Sequence, residues 1–337
     1  MTTLLQPVYP WLEAAWALLQ QYRLTDRLPH ALLLQGPAGL GKTALAQALA
    51  ARLLCRGDAV YACGQCPGCR LFMAGTHPDF LLIGPEESGK VVKVDRVRKL
   101  IADLELKPHY GGHRISVIEQ ADWMNLSAAN ALLKTLEEPA PGNLIVLVSE
   151  QPSRLPPTIL SRCHKLSIQP PTHREAADWL RTQRPDCVAE VLLSAADGSP
   201  LRALALADTD VVSRRQERFR EFSGVLLQRE DPLMVAERWL AGSAEECFDW
   251  MLSWLADLMP LTLMREHAAR RNPDLSAELQ RLAGRLNAQV LSGFWDQLLK
   301  SRQALTGQVN RQLLLEETLI RWAQLDGADG GRSIAHG

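Results

Sequence analysis

The 337-residue sequence predicts an α/β domain, a parallel sheet with flanking helices, followed by an all-helical half. Three observations predict it. Residues Gly36 to Thr43 read GPAGLGKT, a complete phosphate-binding loop between the apolar run Ala31–Leu34 and a helix-like stretch, Ala44–Leu54. Apolar runs and helical patterns then alternate as far as Ile168, as expected for a parallel sheet covered by helices. From Asp210 to Leu325 only helical spacing of apolar residues remains.

Each element has its own signal. The strands expected are Ala31–Leu34, Phe80–Ile83, Ile115–Ile118, Leu144–Val148 and Lys165–Ile168, and Val94–Leu106 and Ser127–Leu136 carry helical periodicity between them. In the loop, glycines such as Gly36, Gly39 and Gly41 let the backbone approach a phosphate, and the amides at the helix start point at the anion. Lys42 would reach the β- and γ-phosphates, and Thr43 would hold Mg²⁺. Gln169-Pro170-Pro171-Thr172 breaks the pattern and marks a domain boundary. Residues 172–208 read as two or three short helices. Trp239, Trp250, Trp254, Trp295 and Trp322 fall on apolar helix faces, as packing residues rather than a base-stacking platform. The Gly-rich tail, 326–337, is expected to be disordered.

Composition sets the class. At 47% hydrophobic and 22% charged residues, the chain reads as an ordinary globular protein of two or three domains. No apolar run is long enough for a bilayer, and the start MTTLLQPVYPWLEAAW lacks a basic n-region, so a cytoplasmic address is expected. A net charge of −1 argues against a free-standing zinc-dependent nucleic-acid-binding protein.

Four cysteines, Cys55, Cys63, Cys66 and Cys69, are spaced C-x7-C-x2-C-x2-C. Without a secretion signal, such spacing favours a closed structural zinc site over disulfides or a two-cysteine redox pair. Gly64, Pro67 and Gly68 supply the tight turns. His77-Pro78-Asp79 reads as a turn ahead of a strand, and Glu137-Glu138-Pro139 as a helix end that is structural or touches a partner.

Two further segments, Leu155–Cys163 (LPPTILSRC) and Ser127–Pro139 (SAANALLKTLEEP), resemble the clamp-loader branch of the AAA+ ATPases in sequence, order and spacing. The resemblance covers nearly the whole chain. It includes Tyr9-Pro10-Trp11-Leu12, the four-cysteine module, Gly75 to Asp79, and Thr306-Gly307 to Leu315, and it is nearest to the delta-prime type of bacterial DNA polymerase III. It implies an AAA+ domain over 1–170 with a zinc module at about 55–70, a helical lid over 171–208 and a helical collar over 209–325 that joins subunits into a ring. It also implies that Arg162, of Ser161-Arg162-Cys163, reaches across an interface to the γ-phosphate of a neighbour's ATP. A guanidinium delivered in trans is worth about 10³–10⁵ in rate. The implied partners are the delta and tau/gamma subunits and, through the assembly, the sliding clamp and primer–template DNA, within a DNA-directed DNA polymerase holoenzyme.

The chain departs from the motor subunits where they hydrolyse. Their second strand ends in Asp-Glu, whereas this one ends in Glu119-Gln120. Glu119 keeps a carboxylate one methylene further out, a weak Mg²⁺ ligand, and Gln120 cannot act as a base. Gly198-Ser199-Pro200-Leu201-Arg202 moves the lid arginine by one place, and the strand-end polar sensor falls at Ser149 or Glu150. The loop itself is intact, unlike that of many delta-prime subunits. ATP or ADP binding without independent hydrolysis is the expectation, beside a vestigial pocket. A motor ATPase of the tau/gamma type, with Glu119 serving for the missing Asp, is the alternative.

Overall fold

The computed structural model describes residues 9–85, 91–110, 112–263, 271–305 and 309–325. The chain divides into two compact units, Met1–Pro171 and Thr172–Gly337. The expected tail, with Thr306 and Gly307, lies outside the described residues.

The first unit opens with α1 (Glu13–Leu24), which no motif announced, then β1 (Ala31–Gln35) and α2 (Lys42–Leu54). Next come α3 (Pro67–Met73), β2 (Phe80–Ile83), α4 (Val94–Leu104), β3 (Arg114–Ile118), α5 (Leu126–Glu137), β4 (Asn143–Ser149), the single turn α6 (Pro157–Leu160) and β5 (His164–Ser167). The five strands form one sheet in the order β2-β3-β4-β1-β5, and every pairing is parallel. The expected strands are all present, each within a residue or so of its predicted ends. Helix α2 begins at Lys42 rather than Ala44, because Gly41 already caps it in the left-handed conformation (φ 81°).

Alternation along the central strands sends neighbouring residues to opposite faces. Leu32, Leu34, Ile115, Val117, Leu144 and Val146 pack with Trp16 and Leu19 of α1, Leu45 and Leu49 of α2, and Cys69 and Phe72 of α3. Ala31, Leu33, Ile118, Ile145 and Leu147 pack on the other side, with Val97 and Leu100 of α4, Leu132 of α5 and Ile159 of α6. Both faces of β3 and β4 are therefore buried, which is why these strands read as continuous apolar runs.

The second unit contains α7 (His173–Gln183), α8 (Ala189–Ala195), α9 (Pro200–Leu206), α10 (Val211–Leu226), α11 (Pro232–Leu240), α12 (Ala244–Leu263), α13 (Ser276–Ala283), α14 (Ala288–Ala304) and α15 (Arg311–Ala323). Thr172 and Glu175 form a reciprocal capping box that starts α7 directly after the two prolines. One apolar cluster runs from Ala176 to Trp322, so the segment expected as a lid shares its core with the helices after residue 209. Trp239, Trp250, Trp254 and Trp322 are buried, and Trp295 packs partly buried against them. Trp322 stacks on Phe222 at 4.1 Å and donates its indole N–H to the Phe222 carbonyl. Among the described residues no helix is long and apolar enough to cross a membrane.

One buried ion pair fixes the entry to β2. Asp79, 1% exposed, accepts the backbone N–H groups of His109 (2.8 Å) and Tyr110 (3.2 Å) and pairs with the buried Arg114 guanidinium at 3.3 Å. The expected turn ahead of β2 is present at Pro78 and Asp79, while the carboxylate's partners lie some 30 residues away. His77 is buried beside it and accepts the Asp79 N–H at Nδ1, and burial pushes the imidazole below its usual range. Removing one member of a buried pair strands the other charge, at a cost of about 3–5 kcal/mol. Asp79→Ala is therefore expected to destabilise the first unit by about that much in urea unfolding. A loss below about 1 kcal/mol would mean that Arg114 finds another acceptor.

Candidate functional site

In a parallel sheet all strands end at the same edge, and the loops leaving that edge line the cleft. Here Gly39, Gly41, Lys42 and Thr43 follow β1, Pro85 follows β2, and Glu119 and Gln120 follow β3. Val148 and Glu150 at the end of β4 complete an open cleft of about 350 Å³. Gly36 leaves β1 at the start of the loop.

Local packing shapes the phosphate loop. A side chain at Gly41 would run into the Tyr9 ring, which stacks at 5.2 Å on Trp11. Trp11 donates its indole N–H to the Leu40 carbonyl at 2.9 Å. Lys42 is 4% exposed and donates to the loop's own Pro37 carbonyl. Burial pushes the Lys42 ammonium below its usual range, opposed by the charges of Glu150 and then Asp122. Burial likewise raises the Glu119 carboxyl, opposed by a hydrogen bond from the Thr43 hydroxyl. The two side chains that would share a magnesium ion thus lie near each other.

The neighbouring groups have other duties. Asp122 accepts the backbone N–H groups of Glu150 (3.2 Å) and Gln151 (3.3 Å), so its carboxylate ties the end of β4 to the turn after β3. Gln120 adopts a left-handed backbone conformation (φ 47°) in that turn. The Ser149 hydroxyl is buried without a hydrogen-bond partner among the described residues. Glu150 and Pro85 line the cleft. Glu150 is one of the two positions at which the strand-end sensor falls, and no sequence motif marks Pro85.

Arg162 lies elsewhere. It precedes the first residue of β5, His164, which is in register with Leu32 near the start of β1, whereas the phosphate loop leaves β1 beyond Gln35. At about 3.3 Å per residue, the strands alone separate the two levels by roughly 10 Å. The guanidinium is at the surface, 33% exposed, and pairs with Glu137 at the end of α5. Cys163 beside it is buried, and burial raises its thiol to about 11.

The four cysteines of the module converge. Cys55 follows α2, Cys66 caps α3, Cys69 sits in its first turn, and the four sulfur atoms lie within 4.8 Å of one another. The Cys63–Cys69 and Cys55–Cys66 sulfur separations are 3.9 and 4.0 Å, close to the roughly 3.8 Å edge of a tetrahedral zinc–thiolate site. Four backbone N–H groups, from Gly57, Cys63, Cys66 and Cys69, point at the sulfur atoms at 3.3–3.4 Å. Backbone N–H groups of Gln65 and Cys66 draw the Cys63 thiol down to about 6, while burial pushes Cys69 well up. Gly68 lets α3 approach α2, since a side chain there would meet the Leu54 carbonyl at 2.4 Å. The residues present fit a structural zinc ion, for which Cys55, Cys63, Cys66 and Cys69 would supply four ligands.

A family model described as DNA polymerase III, delta subunit, matches residues 11–172, and one described as its C-terminal part matches residues 209–324. DNA polymerase III subunit delta' of Pseudomonas aeruginosa is 38% identical over 326 residues, covering 95% of this chain and 98% of that protein. The Escherichia coli K12 protein of the same name is 34% identical over 325 residues, covering 93% and 94%. DNA polymerase III subunit tau/gamma of Haemophilus influenzae is 27% identical over 320 residues, covering 88% of this chain and 46% of that protein. The match is fuller on the delta' side, so the motor alternative is not favoured. The fold class is the expected α/β domain, a parallel sheet with flanking helices, followed among the described residues by an all-helical remainder.

Metal analysis of the purified chain is expected to find one zinc per molecule, lost in Cys69→Ser. Chelation under reducing conditions should lower Tm by more than about 2–4 °C, the shift per kcal/mol for a unit of this size. Because the metal must displace a proton from Cys69, stripping should become easier as pH falls. A metal-free chain of unchanged Tm would exclude the site.

Proposed function

The chain belongs to the family of DNA polymerase III delta-prime subunits, and from that premise we propose that it acts as a stator in the clamp loader, supplying Arg162 in trans to a neighbouring ATPase subunit. The observation that carries this reading is the separation of Arg162 from the chain's own phosphate loop, at opposite edges of one parallel sheet. From there it cannot reach a nucleotide held by Lys42 and Thr43. Its exposure leaves it accessible to another subunit.

Charge developing on a transferring phosphoryl group is stabilised by a fixed, permanently charged donor fork. Arg162 would supply that fork to the γ-phosphate of the adjacent motor. Turnover there drives opening of the sliding clamp, its loading on primed DNA and its release. In this chain's own cleft the loop amides, Lys42 and Thr43 would hold ATP or ADP with Mg²⁺, and Glu119 would give the metal weak support. Gln120 offers no base, so the bound nucleotide would be a structural element. On this reading 1–170 is the AAA+ domain, 171–208 the lid and 209–325 the collar that holds delta and tau/gamma neighbours, in the cytoplasm. The zinc module would stiffen the α2–α3 junction.

Arg162→Ala is expected to leave assembly intact and to slow ATP turnover at the adjacent site by about 10³-fold or more in the assembled loader. Unchanged turnover would reject the finger. Equilibrium titration of the isolated chain with ATP and ADP should show binding that Lys42→Ala abolishes, without steady hydrolysis. Robust DNA-stimulated hydrolysis by the chain alone would overturn the stator reading.

A further inference from the structure

The Arg162 guanidinium is not free in this chain. It has five N–H groups. Nε and Nη2 each donate to Glu137 Oε1, while Nη1 donates to the Thr158 carbonyl at 2.9 Å and to Ser161 Oγ at 3.3 Å. One N–H of the five is left. A phosphate recognised side-on needs two adjacent donors, so this arrangement cannot grip one. The paired carboxylate also cancels the charge that a finger must deliver.

Glu137 is itself placed at a cost. It is the last residue of α5, followed by Glu138, where the helix dipole disfavours negative charge. Arg162 offsets that cost.

We infer that Glu137 is a releasable latch on Arg162, which the γ-phosphate of the neighbour's nucleotide displaces when the interface closes. The inference rests on the finger reading above. Loss of Glu137 leaves Nε–H and both Nη2 hydrogens available, a complete edge of the fork, while Nη1 stays anchored on Thr158 and Ser161 as a pivot. The incoming group is therefore a phosphate with at least two free oxygens, and the carboxylate returns once it leaves. An exposed pair of this kind, 33% and 49% accessible, is worth about 0.2–1 kcal/mol. That is strong enough to bias the arginine and weak enough to exchange.

The test compares ATP turnover in assembled loaders carrying Glu137→Gln, Glu137→Ala, Arg162→Ala, or Arg162→Ala with Glu137→Gln. Removing the latch charge should raise kcat/KM of the adjacent site roughly two- to sixfold, the gain from returning the latched fraction to the competent pool. Arg162→Ala should slow turnover, and adding Glu137→Gln to it should change nothing further. If Arg162→Ala slows the loader but both Glu137 variants leave kcat/KM unchanged or lower it, the latch is wrong and the finger stands. If Arg162→Ala itself has no effect, the finger has failed and the latch fails with it.

Discussion

The constraint on which the rest depends is the common direction of the five strands. Parallel strands deliver all their C-terminal ends to one edge, so the loops after β1, β2, β3 and β4 converge on one cleft. The same rule sends what precedes β5 to the opposite edge, and Arg162 goes with it. A phosphate loop and an exposed arginine thus share a domain yet cannot share a phosphate. On the proposed reading the chain is half of a site at one edge and half of another at the other edge, which suits a subunit with neighbours.

Within the cleft, backbone and side chains have separate jobs. The loop's curvature is set by glycine and by aromatic packing, through Tyr9 against Gly41 and the Trp11 indole on the Leu40 carbonyl. The chemistry that would follow binding is set by Glu119 and Gln120, and there the acid is reduced to one half-buried carboxyl beside the Thr43 hydroxyl. Asp122, the only other nearby acid on that turn, is held by the amides of Glu150 and Gln151. The four-cysteine module belongs to the same architecture. Cys69 and Phe72 enter the core under α2, so the module braces the helix that begins at Lys42.

Much of this was legible in the sequence because it is periodic or covalently local. The two-sided burial of β3 and β4 shows as unbroken apolar runs, and the helices of the second unit show their 3.6-residue spacing. The phosphate loop and the four cysteines carry their chemistry in short fixed spacings. What was not legible joins distant residues one atom at a time. Asp79 reaches the amides of His109 and Tyr110, Glu137 reaches Arg162 across 25 positions, and Pro85 meets the cleft only because β2 lies in the sheet. None of these contacts leaves a period in the sequence. Helix α1 was missed for a related reason: its buried face is only Trp16, Leu19 and Gln20, a short stripe.

The same distinction bears on why the loop is intact beside a weakened acid pair. A loop shaped only by its ligand would need the nucleotide to form, but this one is shaped by groups that belong to the chain. Gly41 caps α2, Tyr9 covers Gly41, Trp11 holds Leu40, and Lys42 donates to Pro37. Binding a phosphate would exchange the Lys42–Pro37 contact for a charge-assisted one and leave the other three in place. The loop's shape therefore rests on these contacts, and on the proposed reading Glu119 and Gln120 would matter chiefly once a metal and a water had to be positioned. On that reading the missing base at Gln120 would remove a step that comes after binding, while GPAGLGKT is held by its own packing.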